Sequence, residues 1–418
     1  MRTKRPYLLR GGILTTVLGI SILITSMVTA LVLIAAYNRM GAIHERRGLK
    51  NLRNAISTVA YARSYGQQLP YDQPVEIDLY GNGIDSVQVL KRRWGLLDLV
   101  RVQSGRGGSA AVKSFLMGYQ PDAIGASTLY LADLQRPLTV TGNTRVEGSV
   151  FLPKAGVRSA TIDRTWYKGQ QLIYGDIRQS TAQLPELKEQ IWQVTDSLRS
   201  RQNDSDSIQV FAPGTNYYHS FLENTPLYLH SAGDVLLRNS LDGMIELEVQ
   251  GDVTIHANAE LSGVVIYAKS AKIQSGFQGN LQLICSDNIT VEESVRLQYP
   301  STLVTASQKQ NEQYIDIRSG TEIHGFLLIV NQTPVHELEN SLILHESASF
   351  TGSGYVRGKT MLMGKYTGNL ITHYFKYQGK RALYENHLMN TLLTGGEDQV
   401  KPIFWCATDK TKIVSWLY

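Results

Sequence analysis

A six-residue spacing of apolar residues runs through the second half of the chain. Every sixth position is apolar in the following run: Leu229, Val235, Leu241, Leu247, Val253, Ala259, Val265, Ala271, Phe277, Leu283, Ile289 and Val295. A chain that is 43% hydrophobic would place apolar residues at about five of these twelve positions by chance. The period is therefore a structural signal that any fold of this chain must satisfy.

The six-residue period predicts a β-solenoid. Side chains alternate every two residues along a strand, so a period of six implies short strands that end at corners. Three such strands close one coil of eighteen residues, and stacked coils share one continuous apolar interior. We therefore predict a mainly β fold whose largest part is a triangular, right-handed parallel β-helix with 18-residue coils. The predicted core columns contain Leu247, Val253, Ala259, Val265, Ala271, Phe277, Leu283, Ile289 and Val295.

The predicted β-helix extends over residues 136–380. The spacing begins near Val140 and returns in shorter blocks as far as Leu362. Residues 160–225 interrupt it with a different composition, and apolar residues there have helical spacing. These residues are Leu184, Leu187, Ile191 and Val194. We predict that this stretch is an insertion with a helix, projecting from one corner.

Two smaller regions flank the predicted β-helix. Residues 67–135 contain short alternating runs separated by glycines, which predict a small α+β head. Residues 381–418 form a C-terminal region with a late aromatic cluster, Phe404, Trp405, Trp416 and Tyr418. That cluster predicts a cap over the open end of the solenoid, with a partner-docking patch as the alternative.

The N-terminal region has the composition of a membrane anchor. No charged residue occurs from Gly11 to Asn38, and residues 13–38 are long enough to cross the ~30 Å hydrocarbon core as a helix in contact with lipid. A cleaved secretory signal fits less well, because its apolar region has only about 7–15 residues. Residues 39–66 are predicted to continue as an amphipathic helix. Its apolar stripe is Leu49, Leu52, Ile56 and Val59.

The basic leader and long helix resemble those of type IV minor pilins and the K-type minor pseudopilins of type II secretion. The leader "MRTKRPYLLRGG", residues 1–12, ends in glycine, and the resemblance implies cleavage between Gly12 and Ile13. In that family the fifth mature position is usually Glu, whereas this chain has Val17. The resemblance implies a single-pass protein of the bacterial inner membrane with an extracytoplasmic body and pilin-like or envelope partners. An ordinary uncleaved signal anchor is the alternative.

The β-helix pattern resembles the coils of bactofilins, polymer-forming bacterial scaffold proteins without a catalytic centre. The stretch "GDVTIHANAELSGVVIYAKSAKI" carries this resemblance. Left-handed hexapeptide acyltransferases favour a small residue after the large apolar one, and positions such as Lys272 and Arg296 do not fit that pattern. The resemblance implies self-association into a scaffold polymer, as an alternative to a pilus-like role.

The sequence offers little for catalysis. Right-handed β-helices include polysaccharide-cleaving enzymes, so acidic residues on the predicted coils are candidates for catalysis. The best candidates are Asp252, Asp287, Glu292 and Glu293, together with the nearby Arg296. Their spacing does not place two acids on adjacent coils. The nine histidines and two cysteines have no metal-binding spacing, although one long-range disulfide between Cys285 and Cys406 is an alternative to two unrelated cysteines. We predict no enzymatic activity, no cofactor, no metal and, from a net charge of +5, no nucleic-acid partner. A tethered glycan-binding or glycan-cleaving β-helix is the alternative.

Overall fold

The chain has one long helix followed by many strands. The computed structural model describes residues 12–81, 83, 85–105, 109–188, 191–192, 208–308, 311–332, 340–396, 400–402 and 407–417. The helix α1 is Gly12–Tyr65. The first strands are β1 Val75–Asp78, β2 Ser86–Trp94, β3 Leu97–Ser104, β4 Ala111–Pro121, β5 Leu129–Leu131, β6 Leu138–Thr141, β7 Arg145–Glu147, β8 Val150–Leu152, β9 Val157–Ser159 and β10 Ile177–Gln179.

The remaining strands follow residue 207. They are β11 Ile208–Val210, β12 Tyr217–His219, β13 Leu227–Ser231, β14 Val235–Leu237, β15 Ser240–Gly243, β16 Ile245–Val249, β17 Val253–Ile255, β18 Glu260–Ala268, β19 Ala271–Ile273, β20 Gln278–Cys285 and β21 Asn288–Val291. After these come β22 Arg296–Ser307, β23 Tyr314–Ile317, β24 Glu322–Asn331, β25 Ser341–Leu344, β26 Ser349–Leu362, β27 Lys365–Gln378, β28 Leu383–Glu385, β29 His387–Met389, β30 Leu392–Thr394 and β31 Ala407–Trp416.

The chain divides into two compact units. The first unit comprises Met1–Thr58, Glu76–Gln88 and Val102–Val112, and the second comprises Val59–Val75, Val89–Arg101 and Lys113–Tyr418. Within the first unit, the Asn51 amide of α1 donates a hydrogen bond to the Ser109 carbonyl at 2.7 Å. Gly105 has a φ of +80°, and a Cβ there would lie 2.3 Å from the Asn51 amide nitrogen. Glycine is therefore needed for this close approach.

A five-stranded sheet has the order β1-β2-β3-β4-β31. Its last strand comes from the C-terminus and pairs antiparallel with β4, so that Ile413 lies opposite Met117. Residues Ala407–Trp416 of the predicted C-terminal cap therefore complete a sheet. Trp416 packs against Phe115 with ring centroids 5.5 Å apart, whereas Phe404, Trp405 and Tyr418 lie outside the described residues.

Most of the other strands pair in parallel, and we call β5–β30 the parallel stack. One ladder of paired residues runs Val235, Val253, Ala271, Ile289, Ile315 and Leu342. The first three steps of this ladder are 18 residues long, as the period predicts, and the next two are longer because loops are inserted. Within the described residues, the antiparallel pairing of β27 with β28 is the exception in this set.

The stack does not follow the order of the sequence. Leu129 of β5 pairs with Leu370 of β27, so strands from residues 129–179 continue the ladder beyond the strands of residues 365–394. β10 and β11 are therefore separated by eleven ladder steps, which is about 53 Å at ~4.8 Å per step. Of the chain between them, residues 180–188, 191 and 192 are described. The predicted insertion at 160–225 contributes β10, β11 and β12 to the stack, while its projection from one corner stays a prediction.

The helix predicted from Leu184, Leu187, Ile191 and Val194 is absent over the first part of this stretch. Residues 181–188 are not helical, while residues 191 and 192 are, and Val194 lies outside the described residues. Pro185 has no backbone N–H to contribute to a helix, and its carbonyl accepts a hydrogen bond from the Tyr355 hydroxyl at 2.9 Å. Leu184 and Ile191 are buried against the stack.

One corner of the stack depends on a column of glycines. Gly325, Gly352 and Gly368 pair in register, with φ values of +148°, +142° and +129°. A Cβ on Gly352 would lie 1.8 Å from the carbonyl oxygen of Gly325, and one on Gly368 would lie 1.9 Å from that of Gly352. The coils can stack at the normal strand spacing here because no side chain is present.

Candidate functional site

The first half of α1 has the surface of a membrane-spanning helix. Its apolar side chains from Ile13 to Ile34 are exposed, and the segment is long and apolar enough to cross a bilayer. Five of its serine and threonine hydroxyls donate hydrogen bonds to carbonyls three or four residues earlier, as Thr16 does to Gly12 at 2.8 Å. The others are Thr15, Thr25, Ser26 and Thr29. These hydroxyls therefore take no unsatisfied donor into lipid, which fits a single-pass anchor.

The predicted processing site lies at the start of this helix. Gly12 is the first residue of α1 and Ile13 is 75% exposed, whereas the leader residues 1–11 lie outside the described residues. Val17 is also exposed, so an apolar side chain occupies the position where the pilin family usually has a carboxylate. Cleavage between Gly12 and Ile13 stays a prediction.

The buried face in the second half of α1 is not the one that carries the apolar stripe. Leu49, Leu52 and Ile56 are exposed by 54%, 38% and 56%, whereas Ala55 and Thr58 are completely buried. Small side chains allow a helix to approach neighbouring elements closely, so the face with Ala55 and Thr58 packs and the large apolar side chains stay outside. Of the four residues in the apolar stripe, Val59 alone is buried.

A basic groove lies beside the exposed stripe in the first unit. It has a volume of about 450 Å³ and is lined by Arg46, Leu49, Lys50, Arg53, Asn54 and Tyr80. At its edge, the Asp85 carboxylate forms an ion pair with the Lys50 ammonium at 2.8 Å and accepts a hydrogen bond from the Asn54 amide at 3.0 Å. The groove therefore combines one neutralised cation with two arginines.

A buried polar cluster in the second unit fixes the end of α1. The Asp98 carboxylate accepts hydrogen bonds from the Tyr71 and Tyr119 hydroxyls, both at 2.9 Å, and lies 3.4 Å from the Lys91 ammonium. Lys91 in turn donates to the carbonyl of Gly66, just beyond the helix, at 2.9 Å. Burial raises the pKa of Asp98 and lowers that of Lys91, and burial followed by the charge of Asp98 raises both tyrosine pKa values. The cluster is structural, because its groups satisfy one another.

The predicted core residues of the stack lie in one buried cluster with a single difference. Those in the cluster are Leu247, Val253, Ala259, Ala271, Phe277, Leu283, Ile289 and Val295. Val265 is buried too, but it belongs to the opposite face of its strand, and Ile266 takes the expected place opposite Leu247. The cause is a bulge at Gly263, which has a φ of +72° and shifts the register by one residue.

The outer face of one side of the stack is also apolar, and the sequence reasoning missed it. Residues in register along this face are Tyr130, Ile371, Tyr355, Leu328, Val304, Ile284 and Tyr267. Strands of the five-stranded sheet cover it, and the Gln282 side chain fixes the contact by accepting from Leu96 N–H and donating to the Trp94 carbonyl. Continuous apolar runs such as "FLLIV" indicate burial on both faces. These runs were the signal for the second face.

The candidate acids are dispersed in ion pairs and hydrogen bonds. Glu292 lies 2.7 Å from the Lys272 ammonium, and this contact lowers the pKa of Glu292. Arg296 lies 4.0 Å from Glu322, and the Asn311 amide donates to Asp287 at 2.8 Å. Asp252 and Glu293 are exposed and form no ion pair among the described residues. Lys269 lies in the strand layer between those of Asp252 and Asp287. The arrangement is that of a solvated outer surface.

Cysteine and histidine form no reactive constellation in the described part of the chain. Cys285 is a buried free thiol whose pKa is raised by burial. It therefore does not form the long-range disulfide considered above, and Cys406 lies outside the described residues. No group of three His, Cys, Asp or Glu side chains suited to a metal ion occurs among the residues that were placed.

Comparison with known proteins gives little more. No family model matches the chain, and no curated protein matches it. Among solved structures, the competence-associated pilin ComZ from Thermus thermophilus has a TM-score of 0.20 and 9% sequence identity, over 89% of this chain and 97% of that chain. A likeness at this level bears on neither fold nor function.

Proposed function

We propose that this protein is a non-enzymatic structural or accessory component of a bacterial envelope assembly, pilus-like or type II secretion-like. One observation carries the proposal, namely that a single uninterrupted helix, Gly12–Tyr65, has a lipid-compatible half and a half that is built into folded structure. Such a helix runs from a bilayer directly into folded structure, without the flexible linker that a simple tether would have.

The proposed topology places residues 13–38 in the inner membrane and the remainder of the chain outside the cytoplasm. Basic residues occur on both sides of the span, four before it and five soon after it. Charge alone therefore does not decide the orientation. The proposal follows instead from the pilin-like layout of basic leader, Gly12 and long helix.

The proposed body is a triangular, right-handed β-helix that acts as a rigid scaffold. The 18-residue registers from Val235 through Ile289 support it, as does the continuous buried interior of the stack. We assign no catalytic role to its surface, because Asp287, Glu292 and Arg296 are each engaged by neighbouring side chains. A bactofilin-like polymer uses the same kind of body but does not account for the long helix.

Processing provides the test. The chain would be expressed in cells with and without a prepilin-type peptidase, and the mass of the mature N-terminus would be measured. We expect the peptidase to remove residues 1–12 and leave Ile13 first. Gly12→Val should block cleavage, while Gly11→Val serves as the matched control and should be cut. An intact Met1 in the presence of the peptidase would refute the pilin-like part of the proposal.

A further inference from the structure

The second half of α1 presents an apolar stripe that no described residue covers. Leu49, Leu52 and Ile56 are spaced by three and four residues, so they lie on one face of the helix. Each is more than a third exposed. The stripe continues upwards from the lipid-exposed segment of the same helix. A partner that covers it therefore has to rise from the same bilayer, which favours another membrane-anchored helix.

The charge beside the stripe restricts what this helix can be. Among the described residues no carboxylate lies within ion-pair distance of Arg46 or Arg53, whereas Lys50 is held by Asp85. The two arginines are seven residues apart, about 10.5 Å along the axis at 1.5 Å per residue. Leu49 belongs to both the stripe and the groove. One helix packed on Leu49 would therefore be within reach of both guanidinium groups.

A second copy of this chain is a poor occupant. The helix α1 contains six basic side chains and one acidic side chain, Glu45, which leaves an excess of five positive charges. Two parallel copies would bring these cations together where only Glu45 could offset them. Repulsion between like charges near an interface raises the free energy of a complex and therefore disfavours pairing of two copies of this chain.

We propose that the stripe and the basic groove bind an acidic helix of a different membrane-anchored protein. That helix would pack an apolar ridge against Leu49, Leu52 and Ile56 and would place two carboxylates, about two turns apart, against Arg46 and Arg53. This inference rests on the proposed membrane anchoring of α1. It makes the protein a heterotypic partner in the assembly and not the repeating subunit of a homopolymer.

The test uses the full chain in vesicles of zwitterionic phosphatidylcholine, which carry no net charge of their own. Energy transfer would measure its association with a synthetic membrane-spanning helix that has an apolar stripe and two Glu residues seven positions apart above the span. The comparison peptide has Gln in place of both Glu. We expect the Glu peptide to bind about tenfold more tightly, as two partly exposed ion pairs predict, and added salt to reduce the difference.

Variants assign the effect to the groove. Arg46→Gln together with Arg53→Gln should remove the preference for the Glu peptide, whereas Arg47→Gln, an exposed residue outside the groove, should keep it. Equal binding of the two peptides, an unchanged preference in the double variant, or self-association of the chain tighter than binding of the Glu peptide would each overturn the inference. Protease protection of residues 13–38 in the same vesicles separates the two proposals. Loss of protection defeats the membrane anchoring, while a protected chain without the Glu preference defeats only this inference.

Discussion

The glycine column gives the sharpest test of how the strands stack. In Gly352→Ala the new Cβ would start 1.8 Å from the Gly325 carbonyl oxygen, far inside the ordinary contact distance. The substitution also puts a side chain at a φ of +142°, which costs about 1–3 kcal/mol by itself. Relieving the clash requires local separation of two coils and the loss of one or two ladder hydrogen bonds, at about 0.5–1.5 kcal/mol each. We expect a total loss of about 2–6 kcal/mol in the free energy of unfolding.

Gly276→Ala is the matched control, because Gly276 has a φ of +82° but no heavy atom within 4 Å of the position of its Cβ. This variant should show the backbone cost alone, about 1–2 kcal/mol. Urea unfolding of both full-length variants, followed by tryptophan fluorescence, gives the comparison. If Gly352→Ala is no less stable than Gly276→Ala, the strands around Gly325 and Gly352 do not stack in the register described here.

Three further predictions concern buried polar groups. Burial, and then the charge of Arg357, lowers the pKa of His373 from 6.5 to about 4, so the unfolded chain binds the proton more readily. Stability should therefore fall by about 3 kcal/mol between pH 6.5 and pH 4, and His373→Phe should lose this pH dependence in urea unfolding. If wild type and variant respond alike to pH, His373 is not buried as described. Asp98→Asn should cost about 3–5 kcal/mol by leaving the Lys91 ammonium unpaired, and adding Lys91→Met should recover part of that loss in the same assay. An equally unstable double variant would contradict the ion pair. Tyr355→Phe removes the hydrogen bond to the Pro185 carbonyl, so stability should drop by about 1 kcal/mol and limited proteolysis near Pro185 should be faster; unchanged cleavage would argue against this contact.

The interior of the stack could be predicted from sequence because its signal is periodic and local. Paired apolar residues recur every eighteen positions along this ladder, so Val253, Ala271 and Ile289 could be placed in one column by counting. The one-residue error at Val265 arose at a glycine bulge, and a strict count cannot detect a bulge. Beyond Ile289 the paired residues are more than eighteen positions apart. Counting therefore cannot identify which residue of the next strand each one pairs with.

The order of the strands could not be obtained in this way. Periodicity assigns Leu129 and Leu370 to the same kind of position, but it contains no information about which coil lies next to which. Only the pairing of β5 with β27 shows that the N-terminal coils lie beyond the C-terminal ones. Without knowledge of the strand pairing, a change of composition within a repeat cannot be distinguished from an insertion.

The buried face of α1 differs from its apolar stripe, and the physical reason bears on function. An apolar stripe normally marks the packed side of a helix, yet here Ala55 and Thr58 pack and Leu49 and Ile56 do not. Two faces of this helix are thus suited to contacts, a small-residue face used within the chain and a large-residue face left open. Among the described residues, three large aliphatic side chains are exposed beside Arg46 and Arg53, which have no carboxylate within ion-pair distance. This open face and the excess of positive charge on α1 are the reasons for proposing that an acidic helix of another protein binds here.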